Sequence, residues 1–229
     1  MGDLTDVINY MADEITASEK MKNDFISSVS HELRTPLTAI KGWSETLETL
    51  GDDPEDCEMM QRGLTVISGE TERLSSMVEE LLDFSRMQNG LSLECEKLDL
   101  AAEVSDAVLT MTPRARQEGL ALRWEEPEAP VPVHADAARL KQVFINVLDN
   151  AVKYSPPGGA ITVDLLQDGH NAFLNFTDEG RGIAQEDLEN VKTKFYKGKG
   201  SVRGSGIGLA VVDEIVTAHG GSLSLQSEV

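Results

Sequence analysis

The chain has 229 residues, a length that fits two domains of ordinary size or one larger α/β unit. It carries 20 Lys and Arg against 40 Asp and Glu, a formal net charge of −20, so attraction to a phosphate backbone cannot drive general nucleic-acid binding. Hydrophobic residues make up 40% and charged residues 26%, which excludes a wholly disordered or fibrous chain. Neither a membrane-length apolar run nor a secretory signal is present, so we expect a soluble, cytosolic protein.

Residues 3–50 show a helical pattern, with apolar side chains recurring every seven residues until the Gly51–Pro54 breaker ends the first helix. A second long helix follows, because two rows of a heptad pattern run through it: Met60, Ile67, Leu74 and Leu81, and Gly63, Glu70, Met77 and Phe84. The two helices predict an all-α hairpin. Its apolar stripe is too extensive to leave in water, so we expect a homodimer that buries the stripe in a four-helix bundle.

From about Gly90 the pattern changes to short alternating runs separated by helices, which indicates a second domain of the α+β class. The expected helices are 100–117, 136–154 and 205–218. The expected strands are 91–96, 120–124, 131–134, 160–166, 172–177 and 222–226, with a hairpin turn at Asp168-Gly169. These elements predict a sandwich with helices on one face of a sheet.

The first candidate site surrounds His31. If the apolar row faces the seam, His31 lies exposed on its flank beside Glu32, which can accept a proton from one ring nitrogen and leave the other as a nucleophile. Thr35 projects from the same face, where it either orients a water or caps the turn before Pro36. Pro36 lacks a backbone donor and predicts a bend or a loosening of the helix. Taken alone, His31 also fits an ordinary surface histidine.

The second candidate site is one face of the helix at 136–154. Asn146, Asn150 and Lys153 are spaced four and three apart, so they project together. Amide oxygens suit a magnesium ion that keeps several waters, and a lysine suits a phosphate oxygen. The alternative is an amphipathic helix with its polar residues facing outward.

Two glycine motifs follow. In the motif at 178–183, Asp178 can accept a hydrogen bond from an adenine amino group, while Gly180 and Gly182 let the backbone approach a flat ring. In the motif at 204–209, free backbone N–H groups at a helix start favour phosphate. Either motif alone also fits an ordinary turn.

A basic stretch at 191–203 separates the two glycine motifs and contains no acidic residue. It predicts a mobile flap over a polyphosphate, and the alternative is a solvated loop. Its cations are Lys192, Lys194, Lys197, Lys199 and Arg203.

Taken together and in this order, these segments resemble the H box, N box and two glycine boxes of sensor histidine kinases of two-component signalling. The resemblance covers roughly residues 18–226. It implies a signalling-helix segment at 1–19 and a dimerisation and histidine-phosphotransfer hairpin at 20–89. A Bergerat-type (GHKL) ATP-binding sandwich would follow at 90–229.

The resemblance implies that His31 takes the γ-phosphoryl group of ATP and passes it to an aspartate of a response regulator receiver domain. Glu32 would be the acid/base partner, and Thr35 would position water for dephosphorylating the regulator. Asn150 would hold Mg²⁺. The other expected ATP-binding residues are Asn146, Lys153, Tyr154, Asp178, Gly180, Gly182, Ile183, Lys197, Gly204, Gly206, Gly208 and Leu209.

Several features depart from the family pattern. Glu179 stands where the family commonly has asparagine, and Lys192 where the flap usually has its first phenylalanine. The family usually adds a further turn and strand after the position of Val229. A sensor module would precede Met1, so any membrane attachment would come only through a segment outside this chain.

Two rival functions follow from the same motifs. A GHKL-type ATPase would need a glutamate base where this chain has Asn146, and an amide cannot usefully deprotonate water. A non-enzymatic scaffold would require losses at the motif residues, and none is lost. The remaining histidines, His134, His170 and His219, lack metal-ligand spacing and are expected to be structural.

Overall fold

The computed structural model describes residues 16, 26–27, 29–51, 53–88, 91–169, 171–194, 196 and 206–228. The chain divides into two compact units, Met1–Ser85 and Arg86–Val229. The boundary expected at 89–90 falls close to this division, and the limits of the functional domains stay a prediction. Within the described ranges, no helix is both long enough and apolar enough to cross a membrane.

In its described residues 26–27, 29–51 and 53–85, the first unit contains two helices. Helix α1 is helical at 26–27 and 29–47, and α2 spans Pro54–Gln88. Helix α1 continues through Pro36, whose side chain is fully buried. It ends a few residues before the predicted breaker, because the N–H of Thr49 donates to the carbonyl of Thr46 at 3.0 Å instead of continuing the helical pattern. The apolar rows expected between residues 4 and 25 lie outside the described residues.

The two helices approach each other closely at Gly63. A Cβ atom placed there would lie 2.8 Å from Cε3 of Trp43 and 3.1 Å from Cδ2 of Leu47. Met77, from the same predicted row, is only 7% exposed. The heptad phase of α2 is therefore confirmed at these two positions.

The second unit contains five strands and four helices in the described residues. In chain order they are β1 Glu96–Asp99, α3 Leu100–Gln117, β2 Ala121–Trp124, β3 Pro132–Ala135, α4 Ala137–Tyr154, β4 Ala160–Asp168, β5 Asn171–Asp178, α5 Gln185–Leu188 and α6 Gly208–Ala218. Strand β1 pairs antiparallel with β3, β2 pairs parallel with β4, and β4 pairs antiparallel with β5. Helix α4 contacts α3, α6 and β5. The predicted class, a helical part followed by an α+β sandwich, is confirmed, and the sheet of β2, β4 and β5 is mixed.

The core of this unit lies between α4, α6 and the sheet. Leu148, Ile161, Val212 and Ile215 are completely buried, and Phe144 of α4 packs against Phe176 of β5 with ring centroids 6.3 Å apart. Burial of large aliphatic side chains provides most of the stability of such a layer. Helix α4 is therefore held on both sides, and its polar face is presented in a fixed orientation.

Asp136 connects three parts of the second unit. Its carboxylate accepts backbone N–H groups from Glu94 at 2.9 Å and Arg139 at 3.0 Å, and its own N–H donates to Nε2 of His219 at 3.0 Å. Nδ1 of His219 lies 2.8 Å from the carbonyl of Ile215, so Nδ1 donates and Nε2 accepts. Burial raises the pKa of Asp136, but the Glu94 and Arg139 N–H groups and the Arg139 charge together lower it below its ordinary value.

Two predicted boundaries before and after α4 are wrong. Residues 91–95 form no strand, because the N–H of Glu94 bonds to the Asp136 carboxylate rather than to a neighbouring strand. Helix α6 begins at Gly208 rather than at residue 205, since Gly206 has a φ of +72°, which lies in the left-handed region.

The expected strand at 222–226 is also not formed. The carbonyl of Leu223 accepts from the Lys192 ammonium, and the hydroxyl of Ser227 accepts from the N–H of Ile183 at 2.8 Å. The Leu223 carbonyl and the Ser227 hydroxyl therefore form hydrogen bonds with a lysine side chain and with a loop N–H, rather than with a neighbouring strand.

Candidate functional site

The candidate nucleophile lies on α1. His31 and Thr35 are exposed, and Glu32 is partly buried. The hydroxyl of Thr35 donates to the backbone carbonyl of His31 at 3.3 Å, so these residues share one face of the helix, one turn apart. The exposed flank predicted for His31 is confirmed.

The candidate metal and phosphate face lies on α4. Asn146, Asn150 and Lys153 are all half-buried. A Cβ atom placed at Gly208 would lie 3.8 Å from Nδ2 of Asn150, so the start of α6 packs directly against this amide. The fold thus brings the N-box helix and the second glycine motif together.

The first glycine motif packs against the end of α4. A Cβ atom at Gly180 would lie 2.5 Å from Oδ1 of Asp178 and 3.2 Å from the carbonyl oxygen of Tyr154. The N–H of Gly180 donates to the same Asp178 oxygen at 2.8 Å. Gly182 has a φ of +73°. The two glycines are therefore needed for different reasons: Gly180 for close approach and Gly182 for its backbone conformation.

Two cations lie near the ring of Tyr154. Nζ of Lys153 is 5.1 Å from the centre of its ring, and Cζ of Arg181 is 5.2 Å from it. Both distances fit cation–π contacts. Sequence reasoning missed Arg181, although a basic residue inside a glycine motif of an acidic chain was a visible signal.

The second glycine motif opens α6. Among the described residues, no side chain caps this helix at Ile207, and the first N–H groups of an α-helix have no carbonyl partner within the helix. Such groups favour an anion. Gly206, Gly208 and Leu209 lie at this start, while Gly204 and Lys197 lie outside the described residues.

Two lysines of the basic stretch form ion pairs with α6. Nζ of Lys192 lies 3.1 Å from Oδ1 of Asp213, and Nζ of Lys194 lies 3.0 Å from Oε2 of Glu214. Both carboxylates belong to α6. These ion pairs give both lysines a partner within the protein, and their expected role in compensating a polyphosphate stays a prediction.

Two polar contacts beside the site were not predicted. Arg114 of α3 forms an ion pair with Asp149, the neighbour of Asn150. The hydroxyl of Tyr196 donates to the buried carboxylate of Asp187, and this bond raises the pKa of Tyr196 above its ordinary value. The first contact joins two helices that are distant along the chain, and the second involves a loop residue. Sequence periodicity reveals neither kind of contact.

Comparison with known proteins gives each unit a family. Residues 21–90 match the His Kinase A (phospho-acceptor) domain, and residues 135–229 match the histidine kinase-, DNA gyrase B- and HSP90-like ATPases. The solved structure of the Acinetobacter baumannii histidine kinase AdeS is 31% identical, covers 82% of this chain and 86% of that one, and has a TM-score of 0.60. The chain belongs to the sensor histidine kinase family.

Two further relatives support the assignment. The signal transduction histidine-protein kinase/phosphatase MprB of Mycobacterium sp. (strain KMS) is 34% identical over 99% of this chain and 44% of its own length. The structure of full-length ShkA in complex with AMPPNP is 26% identical over 88% of this chain and 43% of that one, with a TM-score of 0.60. The chain spans between 27% and 53% of the length of the curated relatives it matches.

Proposed function

We propose that this histidine kinase core transfers the γ-phosphoryl group of ATP to His31 and then to an aspartate of a response regulator receiver domain. The observation that carries the proposal is the pairing of an exposed histidine, in the unit matched by the phospho-acceptor family, with a second unit whose glycine motifs close around Asn150 and Tyr154. Neither feature alone would indicate phosphotransfer.

In the first step, an unprotonated ring nitrogen of His31 attacks the γ-phosphorus. The nitrogen–phosphorus bond forms as the bond to the bridging oxygen breaks, and ADP leaves. Glu32 takes the proton from the other ring nitrogen. In the second step, an aspartate oxygen of the receiver domain attacks phosphorus, and His31 leaves as its ring regains that proton.

ATP and Mg²⁺ are the expected substrate and cofactor. AMPPNP, which the ShkA structure contains, is an ATP analogue. Among the described residues, no cluster of three His, Cys, Asp or Glu side chains could hold a metal ion. A single amide ligand still fits Mg²⁺, which keeps waters and binds substrate phosphates. Asn150 would hold the ion, which stabilises charge on the phosphates, and Lys153 would contact a phosphate oxygen.

A phosphatase activity toward the regulator is part of the proposal. The name of MprB includes both kinase and phosphatase. Thr35 is exposed one helical turn from His31. Its hydroxyl donates to the His31 carbonyl, and its oxygen would accept a hydrogen bond from a water and so position that water for attack on an aspartyl phosphate presented at the same face.

The hairpin is also proposed to form a homodimer. Large apolar side chains on both helices remain about half exposed: Ile26 51%, Leu37 54%, Leu64 55% and Leu82 53%. A second copy would bury them. Light scattering at micromolar concentration is expected to give the mass of a dimer, and a monomer would contradict this part of the proposal.

The experiment that tests the function is incubation with γ-labelled ATP and Mg²⁺, followed by acid and alkali treatment. We expect a protein-bound label that survives alkali, is lost in acid and is absent from His31→Gln. His134→Gln is the matched control, because His134 is exposed on β3 of the other unit and is expected to leave labelling unchanged. ATP turnover without a bound label would favour the GHKL-type ATPase instead.

A further inference from the structure

His219 connects the end of α6 to the start of α4. The backbone N–H of Asp136, the residue that caps α4, donates to Nε2 of His219 at 3.0 Å. Nδ1 of His219 lies 2.8 Å from the carbonyl oxygen of Ile215 in α6, so both ring nitrogens of the neutral imidazole have a partner. His219 is half-buried, and Asp136 is only 8% exposed. A backbone N–H in such a place is unfavourable without an acceptor, so this bond favours one placement of α6 against α4.

The opposite ends of the same two helices meet at Asn150. A Cβ atom placed at Gly208, the first residue of α6, would lie 3.8 Å from Nδ2 of Asn150, which lies in the last two turns of α4. The start of each helix is therefore near the end of the other, so the two helices run antiparallel. Leu148 of α4 and Val212 of α6 are completely buried. The pair is thus held by a hydrogen bond at one end and by close packing at the other.

We propose that His219 is a positioning residue for nucleotide binding: its bond to Asp136 sets how the start of α6 lies against Asn150. The inference rests on the proposed function, because it requires Mg²⁺ and the phosphates of ATP to bind at this face of α4. Helix α6 has 11 residues, about three turns, and a helix of this length moves as one rigid element. A change at the His219 end is therefore transmitted to the Gly208 end.

The part of the site expected to bind the base is built without α6. Asp178 is the last residue of β5, and its Oδ1 accepts the N–H of Gly180 at 2.8 Å. The Cβ position of Gly180 lies 3.2 Å from the carbonyl oxygen of Tyr154, at the end of α4. Neither contact involves a residue of α6. Loss of the His219 bond should therefore weaken binding of the metal and the phosphates and leave binding of the base and the ribose unchanged.

The test compares two amide substitutions at position 219 in the full chain. The amide of glutamine reaches as far as Nε2, so His219→Gln can still accept the Asp136 N–H. The amide of asparagine reaches only as far as Nδ1, so His219→Asn can donate to the Ile215 carbonyl but cannot reach Asp136. That carbonyl also accepts the backbone N–H of residue 219 at 3.1 Å, so neither variant leaves it unpaired. His134→Asn, at an exposed histidine of β3, is the matched control.

Dissociation constants are measured for Mg²⁺-ATP and for adenosine, which carries the base and the ribose without phosphates. His219→Asn is expected to weaken Mg²⁺-ATP binding about three- to tenfold, the size of one net hydrogen bond, and to leave adenosine binding within about twofold of wild type. His219→Gln and His134→Asn are expected to stay within about twofold of wild type for both ligands.

Other outcomes would overturn the inference. Equal weakening of Mg²⁺-ATP and adenosine by His219→Asn would show that His219 supports the folding of the unit and not the placement of α6. Wild-type affinity for Mg²⁺-ATP in His219→Asn, or the same loss in His219→Gln, would show that the bond to Asp136 does not position the site. Each of these results leaves the proposed function standing, because wild type still binds ATP. Absence of Mg²⁺-ATP binding by wild type would overturn the proposed function itself, and the inference with it.

Discussion

The two units of this histidine kinase present their chemistry in opposite ways. In the hairpin, His31 and Thr35 stand exposed on a regular helix, and their positions follow from helical periodicity alone. In the second unit, Asn150 and Tyr154 come from α4 and Asp178 from the end of β5, and glycines allow the two glycine motifs to approach them closely. The first arrangement suits a group that must reach several partners, whereas the second suits a site that must hold one ligand in a fixed geometry.

The two units also differ in how they are stabilised. The second unit has completely buried aliphatic residues, such as Leu148 and Ile161, whereas the hairpin leaves Leu37 and Leu64 more than half exposed. The second unit therefore has a hydrophobic core of its own, whereas the hairpin needs a further surface to cover its exposed apolar side chains. Substitutions can probe the two units separately.

The largest effect is expected at Asp178, which the family resemblance predicts to accept a hydrogen bond from the adenine amino group. Asp178→Asn replaces an acceptor by an amide whose N–H groups repel the 6-amino group, so ATP affinity should fall about 10-fold to 100-fold. Isothermal titration with ATP measures it. Asp164→Asn, at an exposed position of β4, is the control. Unchanged ATP affinity in Asp178→Asn would contradict the prediction that Asp178 binds the adenine base.

The packing of the hairpin is tested at Gly63. Gly63→Ala places a methyl group 2.8 Å from the Trp43 ring, so unfolding should become easier by about 1–3 kcal/mol. Gly69→Ala on the same helix meets nothing within 4 Å and should stabilise by up to about 1 kcal/mol. Chemical denaturation measures both. Equal effects would contradict the close approach of the two helices.

The Asp136 connection predicts a pH dependence. Its folded pKa is lowered, so its stabilisation is complete above the ordinary aspartate pKa of about 3.9 and is lost as pH falls through the folded value. Asp136→Asn leaves one oxygen for the two N–H groups of Glu94 and Arg139, so it should cost about 1–3 kcal/mol at neutral pH, and this difference should shrink under acid. Denaturation of both proteins across pH measures it. A difference that is constant with pH would exclude the carboxylate charge as its source.

The smallest effect is expected at Lys194. Its ion pair with Glu214 is partly exposed, so Lys194→Met should change stability by less than about 1 kcal/mol and ATP affinity by less than about threefold. A loss of ten times or more in ATP affinity would instead show that this lysine faces the polyphosphate, as the sequence suggested.

The sequence correctly predicted the helix limits and helix faces that are determined by residues close together in the chain. Helix α3 has the predicted limits, because Asp99 caps its start and Gly119, with a φ of +72°, follows its end. The exposed flank of His31 and the shared face of Asn146 and Asn150 follow from the helical repeat in the same way.

Contacts between distant residues explain what the sequence did not reveal. Glu94 bonds to Asp136, 42 positions away, and this removes the expected first strand. Lys192 reaches Leu223, 31 positions away, where another strand was expected. Periodicity carries no information about such pairs, nor about the bond between Asp136 and His219, which are 83 positions apart.

The most direct test of the central contrast compares His31→Gln and Asn150→Ala in the full chain, with ATP affinity and phosphoryl labelling measured side by side. The account predicts that both variants lose the label, that His31→Gln binds ATP like wild type, and that Asn150→Ala binds Mg²⁺-ATP at least about 10-fold more weakly. A labelled His31→Gln protein, or an Asn150→Ala protein with wild-type affinity and labelling, would contradict it.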